Sequence, residues 1–393
     1  MSYKKLGDYI IEKVEFNDGD KYKLLQGVSN NKYFQKAKTN IIGIDLSKYR
    51  VAHYNQFVFN RATTRNGDKI SIALRKGESC IVSPSYRIFE VRDENVLHPD
   101  YLQMWFTRPE FDRYARFKSH GSAHEFFDME EMCEVELPIP SIEEQRQIVS
   151  QYQSIANKIK VNEQICEKLE ATAQALYKHW FVDFEFPYSP PSEGCPQDGM
   201  VKGKPYKSSG GKMVLNDELG KEIPDGWEVG KLEDFVLIKN GKIKPNSNGN
   251  IPVYGGNGII EYVNQNNYER LNIIGRVGAY CGSVYYNDSK IWISDNALAG
   301  ISKNDTIYYD FLLLNSLNLN SKSEGSSHPL LTQGILNNID VLKADNNIIY
   351  IKFEEIVKKL FKQIKNIADQ NQILTKLQSL LLSRLAVGEE VST

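Results

Sequence analysis

The sequence predicts an α+β protein: a tandem repeat of two globular units, separated by two long helices that pair antiparallel as a coiled coil. Three observations predict it. Apolar residues recur in alternating steps of four and three from Ile148 to Trp180, and again from Phe353 to Leu385, which is the spacing of a coiled-coil seam. The stretch ahead of the first seam carries short strand and turn signals instead of helical periodicity. Short segments of the first half also return in the same order in the second.

Size and composition are compatible with that picture. A chain of 393 residues suggests two or three domains, each able to bury a core. With 41% hydrophobic and 25% charged residues, it is not a disordered or collagen-like chain. No apolar run reaches the roughly 18 residues that cross a bilayer, and no apolar signal segment follows Met1-Ser2-Tyr3-Lys4-Lys5. The five scattered cysteines form no C-x-x-C pair, so a reduced, cytoplasmic protein without a zinc site is expected. The 48 basic and 50 acidic residues nearly cancel, so any nucleic-acid binding must come from local patches.

Taken in order, residues 1–140 form the first unit, with turn signals at Asn17-Asp18-Gly19-Asp20 and Asn66-Gly67-Asp68. Its strand-like runs include Gln56-Phe57-Val58-Phe59 and Cys80-Ile81-Val82. Residues 141–186 form the first long helix, opened by Ser141-Ile142-Glu143-Glu144, a capping box in which Ser and Glu side chains exchange bonds with each other's backbone. Residues 187–224, rich in Pro, Gly and Ser, read as a crossover or linker. Residues 225–350 form the second unit and 351–388 the second helix, which lacks the capping box.

The repeat shows in four echoes. Leu232-Glu233-Asp234-Phe235 follows Leu6-Gly7-Asp8-Tyr9, and Tyr309-Asp310-Phe311-Leu312 follows Pro99-Asp100-Tyr101-Leu102. Gly325-Ser326-Ser327-His328 follows Gly121-Ser122-Ala123-His124, and Gln372-Ile373-Leu374 follows Gln164-Ile165-Cys166. Each seam spans about 33 residues, roughly 50 Å of helix, and such a stripe needs a partner. Antiparallel pairing of the two ten-slot seams sets slot five of the first, Asn162, against slot six of the second, Asn371. A buried pair there would fix the helix register; the alternative is that both face solvent.

At this point the residues resemble a known family. Leu137-Pro138-Ile139-Pro140-Ser141-Ile142-Glu143-Glu144-Gln145 is similar to the "LPxPxxxEQ" opening of the conserved helix in type I restriction–modification specificity subunits. Ala175-Leu176-Tyr177-Lys178-His179-Trp180-Phe181 resembles that helix's end, and Ile223-Pro224-Asp225-Gly226-Trp227 resembles the approach to the second target-recognition domain. The resemblance implies a non-catalytic subunit whose two target-recognition domains read the halves of a split, asymmetric double-stranded DNA target. It implies two modification (methyltransferase) subunits and restriction–translocase subunits as partners. S-adenosylmethionine, ATP and Mg would then reside on those partners, with no cofactor in this chain. A bimodular protein-interaction scaffold built on the same helical spacer is the alternative. If the helices act as a ruler, removing one heptad, about 10 Å, should change the gap between half-sites.

Candidate DNA contacts combine donors with turns. Arg61, Thr63, Thr64, Arg65 and Asn66 join residue types that can grip guanine, read adenine or touch a thymine methyl. Arg113, Arg116, Lys118 and His120 are spaced along one side of a helix ending near Gly121. In the second unit Lys242, Asn257 and Arg276 stand beside Tyr254-Gly255-Gly256-Asn257-Gly258 and Gly275-Arg276-Val277-Gly278, where the glycines serve tight turns or close backbone approach. Solvated surface is the competing reading for each stretch. Lys358, Lys359, Lys362 and Lys365 read first as a solvated helix face, and the Trp180, Phe181, Phe184 and Phe186 cluster as helix-end packing. No Gly-rich cofactor loop, Walker-type loop or metal-spaced His set is present in the sequence.

Overall fold

The structure is a computed structural model of the chain and describes residues 3–37, 43–62, 69–119, 125–188, 203–325 and 329–387. The chain divides into two compact units, Met1–Asn162 with Asp369–Thr393, and Glu163–Ala368. Each unit therefore owns part of both long helices, whereas the sequence boundaries set those helices apart as segments of their own.

The first unit is built on a four-stranded antiparallel sheet in the order Ile10–Glu12, Tyr86–Val91, Phe57–Asn60, Ile72–Leu74. Both faces are covered. Phe57, Phe59 and Phe89 pack on helices α1 (Pro99–Thr107) and α2 (Pro109–Lys118), while Val58, Ala73 and Ile88 meet Val28, Cys80 and Val82 on the other side. Burial on two faces explains why Phe57-Val58-Phe59 is continuously apolar instead of alternating. The rings of Phe57 and Phe89 stack at 4.9 Å, and Phe106 of α1 meets Phe57 edge-on at 5.5 Å, favoured arrangements for aromatic quadrupoles. A short helix, α3 (Met129–Cys133), begins at a capping box made by Asp128 and Glu131.

Each unit is closed by the same clasp. Tyr3–Lys5 pairs with Glu136–Pro138 in the first, and Glu228–Lys231 pairs with Asp340–Lys343 in the second. One helical turn follows each leading strand, Leu6–Asp8 and Leu232–Asp234, the pair of segments that echo each other in sequence. The bonds match too: Leu6 N donates to Val135 O and Leu232 N to Ile339 O, both at 2.8 Å.

The long helix α4 (Ile142–Tyr177) starts where the capping box places it, with Ser141 N donating to Glu144 Oε2 at 2.9 Å and Glu144 N to Ser141 Oγ at 3.3 Å. It ends in a widened turn, Lys178–Val182, closed by Asp183 N to Lys178 O. Trp180, Phe181 and Phe184 are buried there in the second unit's core with Trp227, Tyr309, Tyr350 and Phe353, so the cluster is packing.

The second unit holds a six-stranded sheet in the order Val236–Asn240, Ala297–Ser302, Tyr268–Gly275, Val284–Ile293, Ile251–Gly255, Gly258–Val263. Helix α5 (Ile307–Ser316) covers it and α6 (Gln333–Asn337) follows. Aligning the starts of α1 and α5 sets buried Tyr101 against buried Tyr309. That register lies two residues from the echo, which had matched Asp310 to Asp100. The reason is burial: Asp310 is fully enclosed, whereas Asp100 is partly exposed and pairs with Lys76. The echo between Gly121-Ser122-Ala123-His124 and Gly325-Ser326-Ser327-His328 falls largely outside the described residues.

Helix α7 (Ile348–Val387) begins three residues ahead of the sequence boundary. Its opening N–H, of Ile348, is met by Asn346 Oδ1 at 3.0 Å, the local Asx bond that replaces the missing capping box. In the second unit α4 and α7 run antiparallel, with Tyr177 against Phe353 and Cys166 against the Ile364 carbonyl. In the first unit Ile148 and Val149 share a core with Leu382 and Leu385.

Candidate nucleic-acid interface

Arg61 follows the strand Phe57–Asn60, just ahead of residues 63–68 in the sequence. Thr63, Thr64, Arg65 and Asn66 lie outside the described residues, as does His120. Arg61 itself lies over the Phe126 ring at 4.9 Å and reaches Asp128 Oδ2 at 3.2 Å. Arg87, from the neighbouring strand, forks onto the same carboxylate: Nε donates to Oδ1 at 2.6 Å and Nη2 to Oδ2 at 3.0 Å. Burial works against the Asp128 charge, but these bonds and one from Met129 N hold its carboxyl down at about 2. Glu12 and Arg50 complete the cluster, with Glu12 Oε1 at 3.7 Å from Arg50 Nη1 and 4.0 Å from Arg87 Nε.

The second predicted stretch lies on α2. Arg113 is exposed and pairs with Glu110 at 3.0 Å, Arg116 pairs with Glu125, and Lys118 lies 6.0 Å over the Tyr114 ring. The helix stops at Lys118, capped by Ser119 N to Arg116 O. Beneath it a buried ion pair ties α2 to the sheet side of the unit: Lys32 Nζ meets Asp112 Oδ1, which also accepts from Ile70 N at 3.1 Å.

The second unit presents a different set. Asn257 is exposed at the hairpin turn between Ile251–Gly255 and Gly258–Val263, where Gly258 has φ +82°. Lys242 is exposed, with its carbonyl accepting from Trp292 Nε1 at 3.2 Å. Arg276 is half-buried, its backbone bonded to Asn296 and Leu331. The neighbouring glycines serve close packing: a Cβ at Gly275 would stand 2.2 Å from Tyr280 O.

On the paired helices, Asn162 is 1% exposed. Its amide nitrogen donates to Asn371 Oδ1 at 2.7 Å and to Gln370 Oε1 at 2.8 Å, and Asn371 Nδ2 reaches Ile159 O at 3.5 Å. Away from the seam, α7 exposes Ile373, Leu377 and Leu380, a stripe at steps of four and three. Leu377 and Leu380 line a groove of about 510 Å³ with Ser150, Ser154, Ile155 and Arg384.

Residues 3–171 and 224–379 match the family described as "Type I restriction modification DNA specificity domain". The chain belongs to this family. The type I restriction enzyme MjaIX specificity subunit of Methanocaldococcus jannaschii is 27% identical over 319 residues, covering 74% of this chain and 68% of that one. The HindI specificity subunit of Haemophilus influenzae is 23% identical, with 92% of each chain covered. A crystal structure of a type I restriction–modification S subunit from M. genitalium shares the fold at a TM-score of 0.57 and 15% identity, over 100% of this chain and 96% of that one. The protein is thus a specificity subunit, the non-catalytic member of a type I restriction–modification system.

Several residues of this specificity subunit hold structure that no local sequence pattern points to. Glu12, Arg50, Arg87 and Asp128 converge from separate elements, which no local pattern reveals, although the Asp128–Glu131 capping spacing was visible. Gln145 is fully enclosed; it accepts from His98 N at 2.8 Å and donates to Val96 O and Pro140 O. Glu354 does the matching work in the second unit, accepting from Tyr308 N and Tyr309 N at the start of α5. These two side chains tie each unit's leading helix to a long helix.

Proposed function

We propose that this specificity subunit reads a bipartite, asymmetric double-stranded DNA target, one half per unit, and recruits methyltransferase subunits through its helices. One observation carries the reading: two units closed by the same clasp present unlike polar surfaces. The first offers an arginine cluster and a basic α2, the second a glycine-bounded hairpin with Asn257 and Lys242. Equal frames with unequal contact residues suit unlike half-sites, since base edges are distinguished by the side chains that meet them. The methyltransferase subunits would cover the Ile373, Leu377 and Leu380 stripe, an apolar surface that water disfavours. Restriction–translocase subunits would join that assembly, with S-adenosylmethionine, ATP and Mg held by the partners in the cytoplasm. Among the described residues no helix is long and apolar enough to cross a membrane.

A genome-wide map of methylated adenines, with and without this chain, tests the reading. The expected result is a split motif with two unlike halves that disappears when the chain is deleted. A Leu377→Glu, Leu380→Glu double variant should melt like the parent yet lose both the methylation and co-purifying methyltransferase. A map that deletion leaves unchanged, or a continuous motif, would overturn it.

A further inference from the structure

Arg50 begins the strand Arg50–Ala52, which pairs with Cys80–Val82. Its side chain is only 10% exposed, and Nε and Nη1 find no hydrogen-bond partner among the described residues. A guanidinium carries five donors and cannot shed its charge, so a buried one without acceptors is an unfinished arrangement. The nearest carboxylate oxygen, on Glu12, is 3.7 Å away, beyond hydrogen-bond reach. Asp128 favours the Arg50 charge but gives it no hydrogen bond, since Arg87 and Arg61 already occupy both its oxygens. Three guanidiniums thus face two carboxylates, and the cluster keeps one positive charge unneutralised. Burial and the neighbouring Arg87 both act against the Arg50 charge, with Glu12 opposing them.

We propose that Arg50 is a backbone-phosphate contact of the first unit, a DNA phosphate oxygen supplying the acceptor and the negative charge that the Glu12–Arg50–Arg61–Arg87–Asp128 cluster lacks. The inference rests on the DNA-reading function above. The geometry favours phosphate over a base edge. Arg50 is enclosed and carried on a paired strand, so it cannot extend into a groove, whereas a phosphate can come to it beside Arg61. A contact of this kind positions the duplex without reading its sequence.

The test uses the assembled complex of this subunit with its methyltransferase partners. Two labelled duplexes, one carrying the methylated motif and one scrambled, are titrated over a chloride series. Arg50→Gln should weaken both duplexes alike, by about tenfold, and flatten the slope of log affinity against log salt by about 0.9. Glu12→Gln, which removes a competing carboxylate, should tighten both. Arg50→Lys should keep the parent slope at reduced affinity, because the charge stays while the planar fork is lost. Parent-like affinity and slope in Arg50→Gln would overturn the proposal, as would a loss confined to the motif duplex. Inorganic phosphate competing at matched ionic strength in the parent, but not in Arg50→Gln, would assign a free-anion site and equally overturn it. Should Arg50→Gln fail to fold by thermal melting, Glu12→Gln decides, and unchanged binding there overturns the proposal. A parent complex that fails to prefer the motif duplex would indict the DNA-reading function, not the Arg50 contact.

Discussion

The two units treat buried carboxylates in opposite ways. In the first, Asp128 is gripped by Arg87 and Arg61 and kept ionised, and Asp112 is matched by Lys32. In the second, Asp310 on α5 is fully enclosed, and among the described residues neither carboxyl oxygen makes a hydrogen bond of good geometry, the Ser302 and Thr306 hydroxyls standing nearby. Burial pushes its carboxyl up to about 8; the Ser302 and Thr306 hydroxyls oppose the rise and the nearby Glu354 charge adds to it. Glu354 is itself raised by burial, but three backbone N–H bonds oppose that rise. Two acids packed together with one set of donors cannot both ionise cheaply. Matching frames can therefore hold polar groups either as paired charge, compatible with a surface meeting an anion, or as a stored proton, compatible only with a closed interior.

The sharpest way to break this contrast is to remove one partner of the paired charge. Asp112→Ala leaves the Lys32 ammonium buried with no carboxylate and strips Ile70 N of its acceptor. A cost of about 3–5 kcal/mol is expected, read as a large drop in the melting temperature of the first unit. A Lys32→Met, Asp112→Leu double variant should recover much of that loss. If Asp112→Ala melts like the parent, the first unit does not depend on paired charge.

The next effect is smaller and belongs to pH. Asp310 titrates near 8 in the fold against an ordinary 3.8, so between those values the folded chain holds a proton that the unfolded chain has released. Stability of the second unit must then fall as pH rises through that window and level off above about 8. From pH 6 to pH 9 the loss should be about 2–3 kcal/mol, and Asp310→Asn should abolish it. Asp128 has the opposite sign. Its folded value of about 2 lies below 3.8, so its contribution is present above pH 4 and is lost as pH falls through 2, about 2–2.5 kcal/mol in all. Hydrogen exchange resolved by unit checks both signs, and parallel pH profiles in the two units would contradict the contrast.

What the sequence revealed and what it hid divide along the same physical line. The helices were legible because a seam at Ile148, Tyr152, Ile155 and Ile159 is written in spacing alone, and the capping box at Ser141 is local. The Leu6 and Leu232 turns were legible as a repeat. Hidden were the contacts assembled by folding: Arg50 and Arg87 come from different strands, Asp128 from the start of α3, and Glu354 from a helix to meet α5. The Asp310 register was misjudged by two residues because short matched strings carry identity but no burial. Phe361 escaped the heptad for a related reason. It stacks on Tyr308 at 4.5 Å, since α7 in the second unit is buried against its own sheet and helix as well as against α4, and a seam template counts one face only.

The smallest expected effect concerns the seam itself, where the first unit is again the polar one. Seam positions of the second unit such as Ala173, Val357 and Ile364 are buried and apolar, while the first unit spends an enclosed slot on Asn162. An asparagine pair in a seam stabilises less than leucine would, but it penalises any other alignment of the helices, because a slipped register leaves each amide facing apolar side chains. Replacing both by leucine should therefore raise the melting temperature slightly, by about 1 kcal/mol or less in stability terms. The same variant should lose a single alignment. If the helices set the gap between half-sites, the methylation map of the double variant should contain motifs with more than one gap length, whereas Asn162→Gln, which keeps an amide, should contain one. A leucine variant that retains a single gap would show that register is fixed by the unit cores at the helix ends, where Val149 and Leu385 are held on one side and Tyr177 and Phe353 on the other.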